Sequence, residues 1–284
     1  MGTVKIVTDS TSDIPRRVRE QLGIDMVPLK VMFGEQTYQD AVSIGNNEFY
    51  EKMAASQSLP TTSQPSPVEF MEVYSRLTKQ TPGVSVISIH LSSAVSGTYQ
   101  SASLGASLLE EEGDITVIDS KSASYGFGML VVKAAEMAAA GSSKEEILAE
   151  IDRLAKDRRL YFLVDTLEYL KRGGRIGKAA ALFGSILNVK PILSLDDSGE
   201  VTAIDKVRGQ KKAMQRVIDL FKQDFGNDPI EIMVAWAYKS DNALELAALA
   251  QAQLNVRNIK QTEIGAVIGT HVGPGTAALF INRV

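Results

Sequence analysis

The chain of 284 residues contains no cysteine. Disulfides, thiol nucleophiles and Cys-ligated metals are therefore excluded. Histidine is nearly as scarce. His90 and His271 are the two, too isolated in sequence for a His-rich metal site. An excess of positive charge is also missing: 30 Lys and Arg against 34 Asp and Glu leave a net −4, which argues against a general nucleic-acid binder. Long hydrophobic runs are absent too. The apolar run 129–132 stops at Lys133 and Glu136, so no bilayer span is predicted. The N-terminus reads as a strand almost at once, with no basic-then-apolar leader, and a cytoplasmic location is expected. What is present is 44% hydrophobic and 23% charged, enough for a sizeable core in two domains or one large one.

The stretch 84–106 organises the rest. Residues 84–91 form an apolar, β-branched run long enough for one buried strand. It breaks into Ser92-Ser93-Ala94-Val95-Ser96-Gly97-Thr98 and resumes as a small-residue helix from about Tyr99. A strand feeding hydroxyls into a helix N-terminus suits an anion, because first-turn N–H groups are unpaired and the helix dipole favours negative charge. The plainer reading is that Ser92 or Ser96 caps the helix, although four hydroxyls in seven residues exceed the need of one cap.

Residues 4–7 read as the first strand, emptying into Thr8-Asp9-Ser10-Thr11-Ser12-Asp13. Asp9 and Asp13 either tie turns and caps, the favoured reading, or bind Mg²⁺. Pro15 opens a short helix ending near Gly23. Residues 24–33 look like one strand with Gly34-Glu35 as its turn, and Asn46 or Asn47 is expected to cap a helix over 48–56. Pro60, Pro65 and Pro67 make the segment 59–67 read as a rigid loop, neither helix nor strand, that holds the hydroxyls of Thr61, Thr62 and Ser63. Phe70, Tyr74 and Leu77 give the following helix a core face. Ser143-Lys144-Glu145-Glu146 has the capping-box pattern.

Strand–helix alternation up to this point predicts a parallel, doubly wound sheet. The character changes at Lys156-Asp157-Arg158-Arg159, and the domain boundary is expected there, giving domains 1–157 and 158–284. The second begins with a strand at 160–164 and a helix from Leu167. A basic, glycine-rich turn follows, Lys171-Arg172-Gly173-Gly174-Arg175-Ile176-Gly177-Lys178. Ala179 stands where a P-loop needs Ser or Thr, so this is no nucleotide loop. It is either simply solvated or a docking surface for an acidic partner or phosphate. A helix over 179–187, a hairpin of 191–195 with 200–206, and further strand–helix units predict a mixed sheet. Gly269, Gly273 and Gly275 with Pro274 place His271 in what reads as a tight turn facing a ligand, or as a structural histidine. His90, inside an apolar strand, is expected to be core.

Taken together, residues 60–67, 91–102, 169–175 (Tyr-Leu-Lys-Arg-Gly-Gly-Arg) and 270–276 (Thr-His-Val-Gly-Pro-Gly-Thr), with the opening 7–13, closely resemble the DegV family, in order and over the whole chain. That resemblance implies a carrier of two α/β domains that buries a long-chain fatty acid in a tunnel between or within them. It further implies presentation of the acyl carboxylate to a separate ATP-binding kinase subunit, which forms an acyl phosphate; the carrier itself is neither an enzyme nor a cofactor protein. Carried over by motif, Thr62 and a serine of 92–96, either Ser93 or Ser96, hold the carboxylate, with Ser63, Ser92 and His271 completing the head-group set. Lys171, Arg172, Arg175 and Arg208 are implied to face the kinase. Two rival classes remain. One is a hydrolase or acyltransferase with Ser93 or Ser96 as nucleophile and His271 as base, although no G-x-S-x-G elbow occurs. The other is a regulatory interaction protein without lipid.

Overall fold

The computed structural model describes residues 3–109, 113–184 and 189–284. In chain order the elements are β1 (Val4–Asp9), α1 (Arg16–Leu22), β2 (Asp25–Val27), β3 (Lys30–Phe33), β4 (Gln36–Gln39), α2 (Asn46–Ala55), β5 (Thr61–Ser63), α3 (Pro67–Gln80), β6 (Ser85–His90), α4 (Thr98–Ser107), β7 (Asp114–Asp119), α5 (Tyr125–Ala139) and α6 (Lys144–Asp157). They continue as β8 (Arg159–Leu163), α7 (Glu168–Arg172), β9 (Val189–Leu195), β10 (Val201–Arg208), α8 (Gln210–Phe225), β11 (Ile230–Trp236), α9 (Asp241–Gln253), β12 (Val256–Glu263), α10 (Ala266–Val272) and β13 (Ala277–Arg283). Two compact units result: Met1–Ile44 with Pro60–Lys156, and Gly45–Leu59 with Asp157–Val284. Both are α/β.

The first unit is built on a parallel sheet of order β2-β1-β6-β7. Its two central strands are buried along nearly their whole length because helices cover both faces. On one face Phe70, Tyr74 and Leu77 of α3, none more than 3% exposed, pack with Val7, Val86 and Ala102. A Cβ on Gly105 of α4 would stand 2.6 Å from the Pro67 carbonyl, so glycine alone lets α4 lie this close to α3. The other face carries α5, whose Phe127, Leu130 and Val131 are fully buried. The order reverses between β1 and β6, and it is outside the C-terminal ends of strands at such a switch point that doubly wound sheets bind ligands.

Two expectations fail here for one reason: proline acts on single positions. Residues 24–33 are two strands, β2 in the parallel sheet and β3 in a separate antiparallel sheet of order β4-β3-β5. Pro28, which has no N–H to give a ladder, lies where the chain changes sheets. Conversely, Thr61–Ser63 is a strand and not a loop. Pro60 and Pro65 flank it, which leaves four residues with N–H groups between them, and Thr62 pairs with Val31. The N-cap of α2 is Gly45, with no side-chain cap bond, in place of Asn46 or Asn47. Both capping boxes, Ser66 with Glu69 and Ser143 with Glu146, are formed.

The second unit is a six-stranded mixed sheet, β10-β9-β8-β13-β11-β12, in which only β11 and β12 run parallel. The amphipathic α8 lays Ala213, Val217, Phe221 and Phe225 on it, and α9 adds Leu246 and Ala250. The predicted hairpin is β9–β10, bulged between Ala203 and Asp205. The helix expected over 179–187 is a 3-10 run, Gly177–Leu182; its last residues lie outside the described ones. The helix α2 joins this unit although it comes early in the chain: Phe49 and Tyr50 are buried and the Tyr50 hydroxyl donates to the Ile264 carbonyl at 3.0 Å.

Candidate functional site

The loop leaving β6 is held residue by residue. The Leu91 N–H donates to Asp9 Oδ2 at 3.2 Å, the Ser92 N–H to the Ser122 carbonyl at 2.7 Å, and the Ser93 N–H to Asp119 Oδ1 at 3.1 Å. Three successive amides are thus pinned by the end of β1, the end of β7 and the turn that follows β7. Ser92 Oγ then accepts from the Ala94 N–H at 3.1 Å. Neither Ser92 nor Ser96 caps α4: the N-cap is Gly97, without a side-chain bond. The hydroxyls shape the loop instead.

The two candidate serines differ. Ser93 donates its only proton to Asp119 Oδ2 at 2.5 Å. Ser96 accepts from the Thr98 N–H at 3.3 Å and lies 2.9 Å from Thr98 Oγ1, where either oxygen can be the donor. Toward a carboxylate, Ser93 must be released by Asp119, whereas Ser96 has only to let Thr98 donate.

The strand β5 carries Thr61, Thr62 and Ser63 in one short row, Thr62 and Ser63 half-buried. The next residue, Gln64, connects this row to the loop. Its amide donates to Ser101 Oγ on α4 at 3.3 Å, and a Cβ on Gly97 would fall 2.5 Å from it. Within the first unit, two motifs some thirty residues apart therefore meet. Gly97 is required there for the approach of the amide, a reason the residue pattern alone did not reveal.

The expectation that His90 is core holds, but the histidine is far from inert. Its Nδ1 lies 3.0 Å from Asp9 Oδ2, its Nε2 2.7 Å from Ser88 Oγ, and Ser88 Oγ accepts from the Tyr74 hydroxyl at 2.8 Å. Aspartate, histidine and serine in this order have the geometry of a hydrolytic triad. All three are 0% exposed, as is Tyr74, so no substrate reaches Ser88. Asp9 also caps the turn 10–12 through the Thr11 N–H at 3.0 Å, which is the tying role expected of it. Among the described residues no cluster of His, Asp and Glu is arranged to hold a metal.

In the second unit His271 occupies the last turn of α10 and not the expected tight turn; Gly273 (φ 76°) follows as its C-cap. The basic turn comes against it. A Cβ on Gly173 would stand 2.2 Å from His271 Nδ1, and Gly273 is equally close to the Tyr169 ring. Two further separate motifs, 169–175 and 270–276, are thus packed as one body. Burial first, and then the positive charge of Arg175, push the His271 pKa down to about 4. In this structure His271 is therefore neutral at pH 7.

The cations of the turn are not equivalent. Arg172 pairs with Glu168 at 2.6 Å, Lys171 sits 3.5 Å over the Phe183 ring, and Arg175 donates to the Gly173 carbonyl at 2.6 Å. Arg208 ends β10 at the sheet edge and is exposed. A separate groove of about 610 Å³ opens in the first unit beside β2; two of its arginines, Arg16 and Arg76, pair with Glu20 and Asp25.

Comparison with known proteins bears on the whole arrangement. A family model described as "Uncharacterised protein, DegV family" matches residues 3–283. A DegV domain-containing protein of Caldanaerobacter subterraneus is 42% identical over the full length of both chains. A DegV family protein of Thermus thermophilus, whose structure is described as fatty acid binding, superimposes with a TM-score of 0.91 at 40% identity, covering 99% of this chain and all of the other. DegV of Bacillus subtilis, described as a fatty acid binding protein, gives 0.88 at 37% identity over both whole chains. A stearic acid-binding protein of Eubacterium ventriosum gives 0.89 at 30%, covering all of this chain and 98% of that one. With end-to-end identity of this order and the same fold throughout, the chain belongs to the DegV family.

Proposed function

We propose that this protein is a fatty-acid carrier: it binds a long-chain fatty acid in a buried tunnel and presents the carboxylate to a separate ATP-binding kinase subunit. The observation that carries the reading is full-length similarity to structures described as fatty-acid-binding. The hydroxyl rows of the first unit agree with it. A buried carboxylate left without hydrogen bonds costs several kcal/mol, and hydroxyl donors on rigid supports supply them at about 1.5–3 kcal/mol each. Thr62 and either Ser93 or Ser96 are the proposed donors, with Ser63 and Ser92 beside them. His271, in the second unit, is neutral and carries no fixed charge. Burying about 14 methylenes at roughly 0.8 kcal/mol each gives a gross of about 11 kcal/mol before association costs, so the tail dominates affinity and the head sets orientation.

Docking of the kinase falls to Lys171, Arg172, Arg175 and Arg208. Ala179 in place of a P-loop hydroxyl supports leaving ATP to the partner. The location is taken as the cytoplasm.

Native mass spectrometry of freshly purified protein tests lipid binding. A bound acid of about 16–18 carbons, the long-chain class that the family resemblance implies and whose tail burial is the sum above, exchangeable for added palmitate or oleate, is the expected result. Apo-protein that takes up neither acid refutes the proposal. Reversing charge at Lys171, Arg172 and Arg175 should lower kinase-dependent acyl phosphate formation while leaving lipid binding intact; a loss of lipid binding instead shows that the turn is not a docking surface.

A further inference from the structure

The buried chain behind the hydroxyl loop has no place yet in the proposed function. Tyr74 donates to Ser88, so the proton of Ser88 is free for His90 Nε2, and His90 Nδ1–H then donates to Asp9. This is the one assignment that leaves no buried proton of the chain unpaired. Asp9 receives four bonds: Thr11 N–H at 3.0 Å, Thr11 hydroxyl at 2.5 Å, His90 at 3.0 Å and Leu91 N–H at 3.2 Å. All its lone-pair directions are occupied, and no lysine or arginine is among its partners. A fully buried carboxylate of this kind is expensive unless every partner stays in place. What it fixes is the residue immediately before Ser92, at the switch point of the sheet.

We propose that Asp9 and His90 are positioning residues for carboxylate recognition. They lock the exit of β6 so that the hydroxyls of 92–98 face the acyl head group in one geometry. This rests on the reading that this loop holds a fatty-acid carboxylate. His90 fixes the rotamer of Asp9, Asp9 fixes the amide of Leu91, and the loop is built out from there. Sites supported this way lose function when the support shifts by about 1 Å, even though no supporting group touches the ligand.

The test compares two ligands with one tail and different heads, hexadecanoate and hexadecanol, by displacement of a fluorescent fatty-acid analogue. A positioning role predicts loss for the acid only, whereas general loosening of the fold weakens both. Asp9→Asn, which sets an amide N–H₂ against two donors, and His90→Gln should each weaken the acid about tenfold, the worth of one charge-assisted bond, with the alcohol unchanged. Thr11→Val trims a single donor and keeps the shape, so it folds even if the other two do not; about threefold is expected for the acid, part of one such bond. An unaltered acid-to-alcohol ratio in the folded variants, or equal losses for both ligands, overturns the inference. If the unaltered protein itself shows no preference for the acid, the carboxylate reading of the loop falls instead.

Discussion

At the scale of single residues, two glycines and one histidine make the sharpest claims. Gly173→Ala places a methyl group inside the van der Waals envelope of His271 Nδ1, and the neighbour is a ring held in a helix, unable to swing away. A loss of about 1–3 kcal/mol is expected, measurable as a lowered calorimetric Tm of about 2–4 °C per kcal/mol. Gly97→Ala meets only the end of the Gln64 side chain, which can move. Little stability should be lost, but Gln64 unhooks from α4 and fatty-acid affinity should fall severalfold, by part of the about 1 kcal/mol that such a bond contributes. His271 predicts a pH dependence. Its imidazole takes a proton near pH 6.5 in the unfolded chain and near 4 in the folded one. Between these values the unfolded state binds the extra proton, so stability is full above pH 6.5 and declines as pH falls toward 4, by about 2–3 kcal/mol. Chemical denaturation of His271→Gln from pH 7 to 4 should show that decline reduced; an unchanged acid limb would contradict the burial assigned to this ring.

At the scale of elements, the segment 59–67 shows how far the amino-acid pattern could be read. Its prolines announced rigidity correctly, yet rigidity was equated with loop. The sheet partner of Thr62 is Val31, thirty-one positions away, and no local pattern names a partner. Residues 24–33 failed in the opposite sense, since apolar continuity across Pro28 hid a change of sheet. Periodic elements such as α3 and α6 were legible because their burial repeats every three to four residues. The hydroxyl loop was legible by density alone, but the Asp9–His90 chain behind it was not: a histidine in an apolar strand signals burial and says nothing about what it bonds. Ser66 and Glu69 form a full capping box at the start of α3. Ser66→Ala should cost about 0.5–2 kcal/mol in urea unfolding, with the midpoint shifted and the slope unchanged.

At the scale of the whole molecule, both units are α/β but differ in the separation of their strand pairs. In the first, β1 joins β6 across some eighty residues. In the second, β8 and β11 both pair with β13, the strand nearest the C-terminus of the chain. It lies in the middle of the sheet order, with three strands to one side and two to the other. No described helix is long and apolar enough to cross a membrane. The residues that resemble the family's functional motifs are shared between the two units, 60–67 and 91–102 in one, 169–175 and 270–276 in the other.

The central position of β13 has a consequence for how the protein is made. Until Arg283 has cleared the ribosome, β8 and β11 have no strand between them. The apolar face of α9, which packs on β13 as well as on β11, then lacks part of the surface it covers. Helix α2, synthesised more than a hundred residues before the rest of its unit, waits longest of all. The first unit completes its parallel sheet with β7 at residue 119, so it can fold while translation continues. Its partner is a late, nonlocal assembly of the kind that folds slowly and is exposed to chaperones in the interval.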